Sequence, residues 1–436
     1  ENRLFTFLPS KAPGVHFINS IDETKMPGDA LNEFASMGGG VGIMDVNNDG
    51  LKDIFFCGNQ VSSKLYLNEG NNHFQDITQS AGITTTAWIT GVSVVDINAD
   101  GYDDIYLCTY GSTLGAHSPN LLFINQHNNT FKEEAAAYGL ADTGYSTQAV
   151  FLDYDKDGDL DMYLSNYMLN ASYSANYLFA KNTSGRSPAN DKLYRNEGHV
   201  NGLSHPYFTD VSMKAGIKED GYGLGVSVCD FNMDGWPDIY VCNDFVSNDD
   251  LWLNNKDGTF VNALDLSTKH QSYSSMGCDA ADINNDGKFD FATVDMMPED
   301  NNRKKQTFSF MNYDRYQEER NLGYSPEFGR NMLQLNNGNY QRGDTAIPFF
   351  SEIGQMAGIS ETDWSWSILF ADFNNDGYKD IHITNGIGRD FINADFIQFS
   401  QEGVRSQSRD QARKALRDKL VALDHVEIPN YLYLNN

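Results

Sequence analysis

The side chains of this chain best suited to chemistry are carboxylates, and they recur at a fixed spacing. Six nine-residue segments read D-x-[DN]-x-D-G-x-x-D: DVNNDGLKD at 45–53, DINADGYDD at 96–104, DYDKDGDLD at 153–161, DFNMDGWPD at 230–238, DINNDGKFD at 282–290 and DFNNDGYKD at 372–380. Short acidic and amide side chains at alternate positions can converge on one point, and the glycine permits the sharp turn this needs. A ring of hard oxygens suits calcium, which takes six to eight of them at about 2.3–2.6 Å. The expected ligands of the first loop are Asp45, Asn47, Asp49, the carbonyl of Leu51, and Asp53. Their counterparts are Asp96, Asn98, Asp100, Tyr102 and Asp104 in the second loop, and Asp153, Asp155, Asp157, Asp159 and Asp161 in the third, which is the more anionic. The fourth offers Asp230, Asn232, Asp234, Trp236 and Asp238, the fifth Asp282, Asn284, Asp286, Lys288 and Asp290, and the sixth Asp372, Asn374, Asp376, Tyr378 and Asp380.

Other readings of these loops are weaker. An EF-hand needs a bidentate Glu at position twelve and a following helix. Position twelve here is Phe56, Leu107, Leu164, Val241, Thr293 or Ile383. A single loop could be a polar hairpin turn, but six with the same Asp, Gly and Asp positions argue for metal. Magnesium keeps its waters and rarely uses an all-protein cage. About six structural calcium ions are therefore expected. Each site would stabilise the fold by about 2.7 kcal/mol at a hundredfold excess over its dissociation constant.

The flanks of the loops show what positions them. Alternating segments such as GVGIM, GVSVV and GVSVC precede the loops, and IFFC, IYLC, MYLS, IYVC and IHIT follow. These are β-branched and aromatic runs of strand length. A third element follows in every copy, as LYLNEG 65–70, LLFINQ 121–126, LYRNEG 193–198, LWLNNK 251–256, MLQLNNG 332–338 and YLYLNN 431–436. A fourth is visible as FQDIT 74–78, FTDVS 208–212 and FSEIG 350–354, and a short AGI segment leads onward. Four short antiparallel strands in units of roughly 50 residues or more predict an all-β chain, a β-propeller of four-stranded blades with six repeats visible. The sixth repeat stops after its third strand, so the chain is expected to continue past Asn436 toward a seventh blade, and segment 1–37 is a candidate for closing the ring.

Composition narrows the function. The formal net charge is -29, the opposite of what a phosphate backbone needs, so no nucleic-acid partner is expected. Aromatics at 13% argue against disorder. No apolar run approaches the roughly 18 residues of a membrane span. Five cysteines with no dense spacing do not make a disulfide framework, and Cys57, Cys108 and Cys242 share one strand position. The chain begins at Glu1 with no signal peptide and is expected to be processed or partial.

The loops and their G-V-x-V-x-D-x-N-x-D-G context resemble the FG-GAP/VCBS repeats of integrin-α-like calcium propellers, over nearly the whole chain. Longer strings, GGGVGIMDVNNDGLKDIFFCGNQVSSKLYLNEG at 38–70, RNMLQLNNGN at 330–339 and ETDWSWSILFADFNNDGYKDIHITNG at 361–386, are similar to VCBS-repeat proteins of Bacteroidota with an ASPIC/UnbV region, a region not recognisable here. The resemblance implies export to the outer-membrane surface, with attachment through a lipid anchor, as in a lipoprotein, or through a partner. It carries over the calcium loops and no catalytic residue.

Three long connections fall between second and third strands, at 168–192, 294–330 and 387–430. They leave a blade opposite its acidic loop, where a partner could bind. Segment 410–424 fits an amphipathic helix, and 312–324 is aromatic and charged. No nucleophile elbow, H-E-x-x-H or P-loop occurs. The expectation is a non-enzymatic extracellular binding or scaffold module, an accessory protein of an outer-membrane complex, with a protein or glycan as partner. The alternative is a calcium-requiring propeller lyase or hydrolase acting on polysaccharide, which would need a carboxylate pair outside the loops.

Overall fold

Short alternating segments separated by tight turns leave the backbone little choice but successive hairpins. The computed structural model describes residues 13–22, 37–110, 118–167, 180–245, 247–307, 312–404 and 409–436. They divide into two compact units. The first holds the described residues of 13–22, 37–167 and 192–212, and the second those of 180–191 and 213–436.

Each unit is a run of antiparallel meanders. In the first, β1 (Val41–Met44), β2 (Asp53–Phe56), β3 (Lys64–Asn68) and β4 (Phe74–Asp76) make one blade. The next is β5 (Ile89–Val95), β6 (Asp104–Thr109), β7 (Leu121–Asn125) and β8 (Phe131–Glu133), followed by β9 (Ser146–Leu152), β10 (Asp161–Asn166), β11 (Lys192–Asn196) and β12 (Phe208–Asp210). The second unit opens with β13 (Gly223–Cys229), β14 (Asp238–Asn243), β15 (Asp250–Asn254) and β16 (Phe260–Asn262). A short β17 (Gln271–Ser272) precedes β18 (Gly277–Ala281) and β19 (Asp290–Val294). After β20 (Glu327–Phe328), β21 (Met332–Arg342) and β22 (Thr345–Glu352) complete that blade. The last sheet has three strands among the described residues, β23 (Ser365–Ala371), β24 (Asp380–Asn385) and β25 (Tyr431–Tyr433). The expected blades of a β-propeller are thus present in sequence order.

Blades within a unit pack face to face through apolar side chains. Met44, Phe55, Leu65, Ile105, Leu107 and Phe123 fill the layer between the first two blades. Phe231, Tyr240, Leu251, Phe291 and Phe350 fill the layer between the fourth and fifth. The first strands of neighbouring blades come very close, which explains the recurring Gly of the GV segments. A Cβ on Gly91 would sit 2.2 Å from the Thr147 carbonyl oxygen, and one on Gly225 would sit 2.9 Å from the Gly277 Cα.

The rim opposite the acidic loops is latched by side chains. The residue before the third strand accepts the N–H that ends the second: Thr109 N to Asn120 Oδ1 at 2.8 Å, Asn243 N to Asp249 Oδ1 at 2.8 Å, Asp295 N to Asn331 Oδ1 at 2.7 Å and Asn385 N to Asn430 Oδ1 at 2.8 Å. The long connections leave from this rim. That of the fifth blade carries helices Asn301–Thr307 and Tyr313–Asn321, then β20, which pairs in parallel with β17. That of the sixth carries helices Ala394–Val404 and Arg409–Val421. The second matches the expected amphipathic segment, and the first was not expected. Arg303 ties the two insertions together through Asp390 and also binds Asp363, just before β23. Of connection 168–192, residues 168–179 lie outside the described set. At the N-terminus residues 13–22 form no strand but lie on the first blade, with Phe17 stacked on Phe56 at 5.2 Å.

Replacing Gly91 with Ala forces a methyl into the Thr147 carbonyl and should destabilise the chain by about 1–3 kcal/mol, read by urea unfolding in calcium. An unchanged midpoint would contradict the close packing of first strands.

Candidate metal centres

Each acidic loop joins the first strand of its blade to the second. Two of its residues adopt left-handed backbone. The fourth position has φ 58° at Asn48, 55° at Ala99, 59° at Lys156, 56° at Met233, 57° at Asn285 and 58° at Asn375, and the glycine at position six is also positive. This double reversal folds the acidic side chains back over their own amides. In the first loop Asp45 accepts from the N–H groups of Asp49 at 3.0 Å and Gly50 at 2.8 Å, Asn47 Oδ1 accepts from Asp49 at 3.2 Å, and Asp49 Oδ1 accepts from Leu51 at 2.8 Å. The second, fourth, fifth and sixth loops repeat the pattern around Asp96, Asp230, Asp282 and Asp372. The N–H groups of Tyr102, Trp236, Lys288 and Tyr378 bind the fifth-position carboxylate as that of Leu51 does. This fixes the backbone at the position whose carbonyl is the expected ligand.

The ninth residue is different in kind. Asp53, Asp104, Asp161, Asp238, Asp290 and Asp380 are all buried at the start of the second strand. One oxygen of each accepts the N–H of the loop's second residue: Val46, Ile97, Tyr154, Phe231, Ile283 or Phe373. The other accepts the N–H of an asparagine on the third strand or, for Asn435, just past it: Asn68, Asn125, Asn196, Asn254, Asn336 or Asn435, at 2.7–2.9 Å. A carboxylate oxygen has two lone pairs, so one per oxygen remains for a cation. In the second, fifth and sixth blades the asparagine amide then reaches the preceding blade: Asn125 Nδ2 donates to the Val46 carbonyl at 2.9 Å, Asn336 to Phe231 at 3.0 Å and Asn435 to Ile283 at 2.7 Å. These asparagines recur in every third-strand motif, but their role as a link between blades was not read from the sequence.

The third loop shows most directly that these residues fit a cation. Carboxylate oxygens of Asp153, Asp155 and Asp161 lie within 4.8 Å of one another. Asp153 Oδ1, Asp155 Oδ1 and Asp159 Oδ1 are buried without a hydrogen-bond partner. Buried acceptors of this kind require one, and an oxygen-seeking cation supplies it. Calcium would be held here by Asp153, Asp155, Asp157, Asp159 and Asp161, and in each other loop by the corresponding residues.

Burial sets the electrostatics. It lifts Asp104 to about 7 and Asp161 and Asp238 to about 8. Neighbouring loop carboxylates add to the rise, while the backbone N–H groups oppose it. Asp53 and Asp290 are raised for the same reasons. An unfolded aspartate titrates near about 3.9. Between that value and the folded ones the folded chain binds more protons than the unfolded chain, so the metal-free protein loses stability as pH rises.

The comparisons with known proteins agree with the repeat. Residues 45–107 and 230–293 match the family of FG-GAP-like repeats. The chain is 26% identical over 215 residues to cartilage acidic protein 1 of Xenopus tropicalis, a match covering 48% of this chain and 29% of that protein. The same protein of Mus musculus matches at 26% over 203 residues, 46% of this chain and 28% of the relative. The match thus spans less than a third of these relatives' length. Among solved structures, an Agrocybe aegerita lectin specific for non-reducing terminal N-acetylglucosamine is 17% identical, with 80% of this chain and 75% of that chain covered and a TM-score of 0.42. The V. cholerae biofilm matrix protein Bap1 is 13% identical, with 60% and 36% covered and a TM-score of 0.30.

In EDTA the unfolding midpoint should fall as pH rises from about 5 to about 8, and saturating calcium should remove most of that fall. Calcium binding near pH 7 should release protons, seen as a dependence of the calorimetric heat on buffer ionisation enthalpy. A flat profile in EDTA would contradict the burial of these carboxyls.

Proposed function

We propose that this chain, an FG-GAP repeat propeller, works as a calcium-stabilised extracellular binding module. The observation that carries the proposal is the division of labour within each blade. One rim holds the acidic loop with its buried carboxylate. The opposite rim is latched without metal, and the fifth and sixth blades carry their helical insertions there. Ions that fasten one rim leave the other free to vary, and loops on a rigid scaffold are where binding evolves. The similarity to cartilage acidic protein 1 supports an extracellular setting. Among the described residues no helix is long and apolar enough to cross a membrane. Anchoring at an outer-membrane surface as a lipoprotein, in an accessory role to a membrane complex, is the narrower form of the proposal and rests on the resemblance of the longer repeat strings.

The insertions present groups that suit a partner. Tyr313, at the start of helix Tyr313–Asn321, is 74% exposed. A cleft of about 490 Å³ is lined by Glu299, Asp300, Asp363, Ile428, Pro429 and Tyr431. Its carboxylates are engaged structurally: Glu299 accepts from the Tyr431 hydroxyl at 3.2 Å, and Asp363 is held by Arg303.

The test is affinity capture by the calcium-loaded chain from its native cell envelope, with a parallel capture in EGTA and one by Tyr313→Ser. A stoichiometric partner lost in EGTA and at least about tenfold weaker with Y313S, an anchoring aromatic being worth about 2 kcal/mol or more, supports the module. Depolymerisation of envelope polysaccharide, with no partner retained, would overturn it.

A further inference from the structure

The six loops share a motif but not a geometry, and the differences fall on residues that set how tightly a cation is held. In the first, second, fourth, fifth and sixth loops the fifth-position N–H occupies Oδ1 of the first aspartate. In the third loop Asp153 Oδ1 is buried and unpartnered instead, and so are Asp155 Oδ1 and Asp159 Oδ1. Position seven is a side-chain carboxylate only here.

Three other loops hold a base on the fifth-position aspartate. Lys288 Nζ lies 2.6 Å from Asp286 Oδ2 inside the fifth loop. Lys256 Nζ lies 3.1 Å from Asp234 Oδ2, and His127 Nε2 lies 2.9 Å from Asp100 Oδ2. The latter two bases occupy one repeat position, two residues after the third-strand asparagine. The first, third and fifth blades have Gly70, Gly198 and Gly338 there, all at positive φ. His127 and Lys256 keep the same left-handed backbone at φ 61° and 65°. A side chain there is strained relative to glycine, and in both blades it lands on the metal loop.

We propose that the loops are graded calcium sites: the third, with Asp159 as an additional side-chain ligand, is the tight one, and in the second, fourth and fifth a tethered base occupies the carboxylate that calcium must win. This rests on the calcium reading above. Calcium sites gain affinity with ligand charge, and a tethered lysine ammonium or histidine ring on the same carboxylate acts as a resident competitor. The chain would keep its third loop filled where calcium is scarce and load the others only as calcium rises.

The test uses the full chain, stripped with chelator and titrated with calcium in a calorimeter. A parallel titration with terbium reads emission excited through Trp236, which sits at position seven of the fourth loop. The wild-type calcium isotherm should show one site about tenfold or more tighter than the rest, and Asp159→Asn should weaken that step about tenfold while leaving the later ones unchanged. Lys256→Gly should move the tryptophan-excited terbium midpoint to about two- to fivefold lower concentration, the worth of an exposed ion pair. Trp236→Phe should abolish that signal, which assigns it to the fourth loop. Calcium binding in six indistinguishable steps, or a first step untouched by D159N, overturns the grading while leaving the loops as calcium sites. A K256G midpoint equal to wild type overturns the competitor role. No calcium heat in the wild-type chain would sink the calcium reading itself.

Discussion

One buried carboxylate per blade holds the structure in register. The ninth aspartate of each acidic loop is removed from solvent, and its two oxygens accept backbone N–H groups from the loop and from the third strand. A buried charge is tolerated only when it is paired and hydrogen-bonded. Here the hydrogen bonds are present, but for Asp104, Asp161 and Asp238 they do not outweigh burial, and these groups hold protons near neutrality. A cation would complete the compensation. In the second, fifth and sixth blades the preceding blade is tied to the same point, because the asparagine that donates its N–H to the carboxylate also donates its amide to the preceding blade's loop. Ion, loop, strand and blade interface are thus coupled at a single group.

The loops and most strands were legible because both rest on short-range spacing. The D-x-[DN]-x-D-G-x-x-D string determines its own turn, and the alternation of GVSV or IYLC determines a strand. Two fourth strands, Phe131–Glu133 and Phe260–Asn262, went unread. The other fourth strands were recognised by a recurring string, FQDIT, FTDVS and FSEIG, whereas FKEEA and FVNAL stand at these two places and lack its aliphatic fourth residue or its acidic third. Trp364 is buried, and Trp366 is half-buried with its indole N–H on the Gly386 carbonyl at 2.6 Å.

What the sequence hid lies through space. Asn125 and Val46 are 79 residues apart in the chain and 2.9 Å apart in the fold. Lys256 and Asp234 belong to different turns of the fourth blade and meet only once β14 and β15 have paired. The latch before each third strand uses Asn120, Asp249, Asn331 and Asn430, residue types that look like ordinary turn formers until the bonded N–H is seen. Recurrence was visible for the third-strand asparagine, but only coordinates show that it joins a carboxylate to a neighbouring blade.

The most direct test of the central claim is the anomalous scattering of crystals grown with calcium. Density is expected in the acidic loops, bonded at about 2.3–2.6 Å to oxygens of the first and ninth aspartates, with the ninth still accepting its two N–H groups. Loops free of anomalous density at saturating calcium, with the ninth carboxylates satisfied by hydrogen bonds alone, would contradict it.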